Sequence, residues 1–345
     1  MTRVAIFQTA LLGDTVLTLP LVRQVRDQLR PDALVVVTKP ELAFVFSGEE
    51  CTVLEDDKQG QNRGVRGFFR MVSALRQNQF DMALVPHRSL RSALLAWMAR
   101  IPIRVGFVGS SGWFLFNRLA PFDHVQHDSE RNLRLLKMVS APKASQAASD
   151  SFAIRLHPED KQKAAALWRR WDVQPQKEFL VGMAPGASRR TKQWLPDRFA
   201  TVARQLKQQH PECRIVLFGG PEDHLLCEDV AAQIGSSALN LAGQSRLEEL
   251  PGLLSDLKLF VTNDSGPMHI AYGLGIPTVA IFGPTVKEFG YYPKGPASRM
   301  VEAEGLPCRP CGLHGSKTCP EGHFLCMKQI TEDHVLQACQ EVLAS

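Results

Sequence analysis

Residues 259–269 read Leu-Phe-Val-Thr-Asn-Asp-Ser-Gly-Pro-Met-His. A buried-strand run ends there in a polar loop. Gly266 allows close backbone approach, and Pro267 stands where the first helical residue belongs. A helix beginning at that point presents exposed N–H groups and the positive end of its dipole, a place for a diphosphate without a metal ion. Asp264 would repel a phosphate, so a sugar hydroxyl is its expected partner. The alternative is that Asp264 and Ser265 simply cap the helix.

Two further loops have the same form. Ala184-Pro185-Gly186-Ala187-Ser188 and then Thr191-Lys192-Gln193-Trp194-Leu195-Pro196 open from a strand and carry Ser188 and Lys192. The Gly-Lys-Ser/Thr ending of a P-loop is absent, yet a hydroxyl and an ammonium group suit phosphates. Lys192 could equally be a solvated lysine. Trp194 is expected to pack rather than to stack on a ligand. In Val216-Leu217-Phe218-Gly219-Gly220-Pro221-Glu222-Asp223-His224, Glu222 could hold ribose hydroxyls. A Gly-Gly-Pro turn alone is weak; the recurrence matters, because loops after three strands of one half open on the same sheet edge. In the other half, Gly13-Asp14 sits at a strand-to-helix turn. A carboxylate facing the donor across a cleft would serve as general base, and the alternative is an N-cap.

The elements that must hold these groups alternate along the chain. Strands are expected at 4–8, 33–38, 51–54, 82–85, 179–184, 214–218, 239–241, 259–262 and 278–282. Helices are expected at 15–30 (kinked by Pro20), 68–79, 90–100, 197–209, 223–234, 247–255, 267–274 and 331–343. Such alternation implies parallel sheets with helices on both faces. Residues 140–151 are small and polar and read as a linker. The organisation is therefore α/β, with domains 1–150 and 151–330, the latter including a cysteine-rich loop at 306–327, and a C-terminal helix at 331–345.

The 345 residues suit two domains. Hydrophobic residues make up 44% and charged residues 22%, the balance of a globular protein. No apolar run is long enough to span a bilayer, and the first residues read as a strand rather than a signal peptide. A cytoplasmic protein is expected. The net charge of +5 fits an acidic substrate or an anionic membrane surface. No basic run with interleaved aromatics points to nucleic acid.

In order and spacing these residues resemble the ADP-heptose:lipopolysaccharide heptosyltransferases of glycosyltransferase family 9. The resemblance runs through Gly13-Asp14 with Leu19-Pro20, Pro185-Gly186-Ala187 with Lys192 and Trp194-Leu195-Pro196, and Phe218-Gly219. Asn263 to His269 and Phe282-Gly283-Pro284-Thr285 follow, then Cys308-Arg309-Pro310-Cys311, Cys319-Pro320 and Cys326-Met327. Gln193 replaces a common basic residue, and Val286-Lys287 a common Asp-Pro. The resemblance implies the GT-B fold, two Rossmann-like domains with parallel sheets facing across a cleft, the first for acceptor and the second for donor. It implies inverting transfer of heptose from an ADP-sugar to the lipopolysaccharide core, with no cofactor required for catalysis. Asp14 would be the base, Lys192 with Ser188 would neutralise the diphosphate, and Glu222 would meet the ribose. Asp264 would bind heptose hydroxyls, while Ser265, Gly266, Pro267, Met268 and His269 would form the phosphate-binding turn. Location would be peripheral, at the cytoplasmic face of the inner membrane.

Acceptor phosphates and carboxylates could meet Arg88, Arg91, Arg104, His127 and Arg131, each of which could equally be a solvated charge. Gly112-Trp113-Phe114-Leu115-Phe116 is expected to pack as core, with an interfacial segment as the alternative. Cys308, Cys311, Cys319 and Cys326 are spaced C-x2-C-x7-C-x6-C, a pattern suited to a structural zinc or iron or else to four free thiols. Cys51, Cys213, Cys227 and Cys339 read as ordinary buried thiols. Two alternatives stand beside the heptosyltransferase: another nucleotide-sugar donor, or a sugar-nucleotide epimerase, which would need no lipid acceptor. In a third, non-catalytic reading, Asp14 is only a cap.

Overall fold

The computed structural model describes residues 2–140 and 153–344. The chain divides into two compact units, Met1–Arg155 and Leu156–Ser345. Apart from Ser140, the expected linker lies outside the described residues.

In the first unit, β1 (Arg3–Phe7), β2 (Ala33–Thr38), β3 (Thr52–Glu55), β4 (Met82–Leu84), β5 (Ile103–Phe107) and β6 (Arg118–Ala120) form one sheet in the order β3-β2-β1-β4-β5-β6. Every neighbouring pair is parallel; Val4 pairs with Leu34 on one side and Met82 on the other. β1 and β2 are apolar on both faces because helices cover both. On one face α3 (Gly64–Gln77) and α4 (Leu90–Met98) bury Met71, Val72, Leu75, Ala93, Leu95 and Ala96 against Phe7, Val37 and Val85. Right-handed crossovers put α1 (Leu12–Val16) and α2 (Leu19–Leu29) on the opposite face, where α2 packs with α5 (Asp128–Lys137).

The single helix expected at 15–30 is two helices. The break, at Leu17-Thr18, falls just before Pro20, where the kink is expected. Pro20 is the second residue of α2, where its missing N–H has no helical partner to lose.

The second unit repeats the plan with β7 (Phe179–Ala184), β8 (Cys213–Leu217), β9 (Ala238–Asn240), β10 (Leu259–Asn263), β11 (Thr278–Phe282) and β12 (Ser298–Glu302), ordered β12-β11-β10-β7-β8-β9 and all parallel. Its helices are α6 (Pro158–Arg170), α7 (Pro196–Gln209), α8 (His224–Ile234), α9 (Leu250–Leu254), α10 (Gly266–Gly273), α11 (Leu325–Lys328) and α12 (Glu332–Leu343). The C-terminal helix α12 belongs to this core, where Val335, Leu336, Cys339 and Val342 pack with Val279, Ile281 and Val202. Trp168 and Trp194 are fully buried, and burying such large side chains stabilises by roughly 1.5–3 kcal/mol each. Among the described residues, no helix is long and apolar enough to cross a membrane.

The strand orders place each unit's topological switch point between its first and fourth strands: β1 and β4, then β7 and β10. The loops beyond their carboxyl ends are where such sheets take ligands.

Candidate active site

In the second unit, the loops after β7 and β10 meet at the switch point. The Lys192 Nζ atom lies 2.6 Å from Asp264 Oδ2, and Thr285 Oγ1 donates to the same oxygen at 2.6 Å. Asn263 fixes this arrangement from beneath. Its Oδ1 accepts the backbone N–H of Trp194 at 3.0 Å, and its Nδ2 donates to the Pro185 carbonyl at 2.8 Å. Trp194 packs, as expected, with its indole N–H on the Ile330 carbonyl at 3.0 Å and its ring edge-on to Phe199. Gln193 donates to the Ala187 carbonyl at 3.1 Å and closes the loop that carries Ser188, an exposed residue.

Helix α10 begins at Gly266 with Pro267 second. The capping alternative does not describe it. Ser265 is the N-cap residue, but its side chain accepts no helix N–H, and its Oγ lies 3.3 Å from Thr262 Oγ1. Asp264 is spent on Lys192 and Thr285. The first-turn N–H groups therefore have no side-chain cap, which leaves the positive helix end for another acceptor. Met268 and His269 are buried. His269 Nδ1 is buried with no partner. Burial, above all, pushes the ring's pKa down to about 4, Asp264 opposing and Lys192 assisting, so the imidazole is neutral at pH 7.

After β8, the Gly219-Gly220 turn wraps a carboxylate that sequence reasoning passed over. Asp223 Oδ2 accepts the Gly220 N–H at 3.0 Å, and a Cβ on Gly186 would fall 2.3 Å from the Asp223 carboxyl. Only glycine lets the loops after β7 and β8 approach so closely. Burial raises the Asp223 pKa, the Gly220 N–H opposing. Glu222, the expected ribose contact, is exposed beside it.

The cysteine-rich loop lies against this site. Ser316 N donates to Thr191 Oγ1 at 3.0 Å, and that hydroxyl donates to the Ser316 carbonyl at 2.5 Å. His314 is near enough to Lys192 and Arg189 for both to lower its pKa, after burial. Arg309 fastens the loop through Thr285 O (2.8 Å), Glu302 Oε2 (2.6 Å) and the Ala303 carbonyl. Cys311 N donates to Pro284 O at 3.0 Å. All eight cysteines are free thiols. Among the described residues no three His, Cys, Asp or Glu side chains form a group able to hold a metal. Of the two readings of Cys308, Cys311, Cys319 and Cys326, the structural zinc or iron is therefore not supported. The loop is fastened by a guanidinium and backbone hydrogen bonds.

In the first unit Asp14 is the third residue of α1, not its N-cap; Leu11 holds that position. The Asp14 Oδ2 atom accepts the Leu11 N–H at 3.2 Å. Burial, and then the negative charge of Asp128, raise its pKa from 3.8 to about 7, against the pull of the Leu11 N–H and of Arg131. Asp128 in turn is bound by Arg131 (2.9 and 3.2 Å) and by Asn132 Nδ2 (3.1 Å), and Asn132 also donates to the Leu17 carbonyl at 3.4 Å. The Leu17 contact ties α5 to the end of α1.

Arg88 and Arg131 both lie over the Phe122 ring, 4.1 and 4.8 Å from its centre. Sequence reasoning proposed both and could not show that they meet. Arg91 is committed to the buried Asp56 (2.8 and 3.0 Å), and Arg104 to the carbonyls of Leu115 and Ile101. His127 is buried, its Nδ1 2.7 Å from Ser129 Oγ. A cluster the sequence did not flag spans the switch point: Thr9 Oγ1 lies 2.9 Å from His87 Nδ1 and accepts from Lys58 Nζ at 2.7 Å. Burial, then Lys58 and Lys39, push the His87 pKa down to about 4. Each of the three residues follows a strand, which was the available signal.

Two Rossmann-like units, each with its polar groups at the switch point, make the GT-B architecture of nucleotide-sugar transferases. Residues 68–324 match the model for glycosyltransferase family 9 (heptosyltransferase). The chain is 27% identical over 287 residues to lipooligosaccharide heptosyltransferase 2 of Haemophilus influenzae, covering 80% of each chain. Its fold resembles that of a family 9 glycosyl transferase from Veillonella parvula (TM-score 0.87, 22% identity, 99% of this chain and 97% of that one). It also resembles E. coli ADP-heptose LPS heptosyltransferase II (TM-score 0.77, 22% identity, 99% of both chains). The chain belongs to glycosyltransferase family 9 and is a transferase enzyme.

Proposed function

We propose that the chain moves heptose from ADP-L-glycero-D-manno-heptose to the inner core of lipopolysaccharide, Kdo–lipid A or heptosyl-Kdo–lipid A, with inversion at the anomeric carbon. The observation that carries this reading is the Lys192–Asp264 contact beside the uncapped start of α10. An ammonium group and a cluster of unshared N–H groups suit a diphosphate, and a neighbouring carboxylate suits sugar hydroxyls. The heptosyltransferase relatives support the choice of sugar, and the E. coli one, by its name, that of ADP and of lipopolysaccharide.

In this mechanism Asp14 takes the proton of an acceptor hydroxyl. Its oxygen attacks the anomeric carbon, the bond to the diphosphate breaks, and ADP departs with the electron pair. Lys192 turns from Asp264 to the diphosphate and, with the α10 amides, stabilises the charge that develops on it. Asp264, Ser188 and Glu222 contact the donor, and no cofactor is needed. The first unit binds the acceptor, with Arg88 and Arg131 candidates for its anionic groups. Such an acceptor places the enzyme as a peripheral protein at the cytoplasmic face of the inner membrane.

The test is incubation with ADP-heptose and core acceptors truncated by one sugar at a time, with products read by mass. The expected result is one added heptose on a single acceptor. A larger thermal shift with UDP or GDP than with ADP would overturn the donor. Release of an altered sugar nucleotide without acceptor would favour an epimerase.

A further inference from the structure

Helices α3 and α4 and the short turn Trp113–Leu115 form one layer on the first sheet. Phe116, just after the turn, is buried in the core that α3 and α4 share. Arg76 on α3 donates to the Met98 carbonyl at the end of α4 (3.1 and 2.9 Å). A Cβ on Gly112 would fall 2.4 Å from the Ala93 Cβ of α4, so the turn lies directly on that helix.

The outside of this layer is unusual in two independent ways. Phe69 (52% exposed), Trp97 (49%), Trp113 (51%) and Phe114 (63%) are all exposed on its elements, and among the described residues no other Phe, Trp or Tyr is exposed. The expectation that Trp113 and Phe114 pack as core is corrected here; Phe116 is buried in the core and Leu115 packs against it, partly buried. The second feature is charge. From the start of α3 to the end of β6, residues 64–120 hold eight arginines, no lysine and one acid, Asp81. That surplus of seven exceeds the net charge of +5 of the whole chain, so the remainder is negative; Arg66, Arg70, Arg76, Arg100 and Arg118 are exposed, while Arg88, Arg91 and Arg104 are half-buried on partners of their own. Arg66 and Arg70 are exposed one helical turn apart, flanking Phe69. Asp81 is occupied by the Arg3 N–H at 2.7 Å. Just before α3, Asp56 pairs with Arg91, and Asp57 accepts the N–H groups of Gly60 and Gln61.

We propose that the outer face of this layer, bearing Phe69, Trp97, Trp113 and Phe114 among arginines, is a docking surface for a bilayer rich in anionic lipid. Trp and Phe at such a face enter the headgroup boundary, while arginines keep their stems on apolar surface and their heads on lipid phosphates. A second copy is the poorer occupant, since a two-fold contact would press like charge on like. The inference deepens the glycolipid reading and rests on it only for which membrane is met.

The test uses the full chain with vesicles of phosphatidylglycerol mixed with phosphatidylethanolamine, and with vesicles of phosphatidylcholine alone. Sedimentation with the first and not the second is expected, reversed by salt. Acyl-chain bromination should quench Trp97 and Trp113, with the quench lost in W97F/W113F. R66E/R70E and W113S/F114S should each reduce partitioning about tenfold or more with melting temperature kept, and both should transfer to a delipidated, water-soluble acceptor at the wild-type rate. Equal binding to both vesicles, or variants that bind as wild type does, would overturn the proposal. So would a dimer in sedimentation equilibrium that W113S/F114S dissociates. Failure of wild type on the soluble acceptor would overturn the transferase reading alone, because the vesicle assay does not depend on it.

Discussion

Lys192 and Asp264, 72 residues apart in sequence, touch at 2.6 Å where β7 and β10 run side by side. Thr285 shares the same carboxylate oxygen. An ammonium group is thus held by a carboxylate beside an uncapped helix start.

Replacing Lys192 by Ala should leave the fold intact and lower kcat/KM by 10²–10³-fold, about 2.7–4 kcal/mol of lost transition-state stabilisation. Titration calorimetry should show weaker ADP binding as well. Unchanged ADP affinity and rate would remove Lys192 from the donor site.

The raised pKa of Asp14, about 7, sets a pH dependence. A base must be ionised, so kcat/KM should climb tenfold per pH unit below that value and level off above it. Removing a repelling charge favours ionisation, so Asp128→Asn should move this limb to lower pH. The stability sign is opposite. A carboxyl with a raised folded pKa binds more protons folded than unfolded between 3.8 and about 7, so stability falls as pH rises through that window. Asp14→Asn should therefore abolish transfer yet raise the melting temperature more at pH 8 than at pH 5. A rate profile flat from pH 5 to pH 8 would argue against the base.

Asn263→Leu leaves the Trp194 N–H and the Pro185 carbonyl buried without their partner. The second unit should lose about 2–6 kcal/mol in urea unfolding, since each of the two groups costs about 1–3 kcal/mol. ADP affinity should fall with it, as the Lys192 loop loses its anchor. Wild-type stability in this variant would show that water replaces the amide.

Gly186→Ala forces a methyl group to within 2.3 Å of the Asp223 carboxyl. ADP binding should weaken, and Asp223→Ala in the same chain should restore part of it by clearing the space. No effect of the single change would mean that the two loops can separate freely.

Arg309→Ala should lower the melting temperature and weaken ADP binding, because Thr285, Glu302 and Ala303 lose their shared partner. A strong chelator should leave the wild-type melting temperature unchanged. A marked drop with chelator would restore the metal reading of the four cysteines.

The sequence by itself determined the strand–helix alternation and the three polar loops after β7, β8 and β10. These are local matters: the β-branched run Val35, Val36 and Val37 suits a buried strand, and Pro267 starts a helix through its own φ and missing N–H. It did not reveal β5, β6 or β12, because strands of three to five residues with mixed polarity acquire their identity from the neighbour they pair with.

Tertiary structure decided everything that depends on which loops meet. Thr285 on Asp264, His314 near Lys192, Asp128 against Asp14 and Thr9 with His87 join residues from separate connections. Their proximity follows from strand order, which no local pattern encodes. It also decided that Trp113 and Phe114 face outward while Phe116 turns inward. A three-residue turn has no periodicity from which inside and outside can be read, so only the packing of Gly112 on α4 settles the sense.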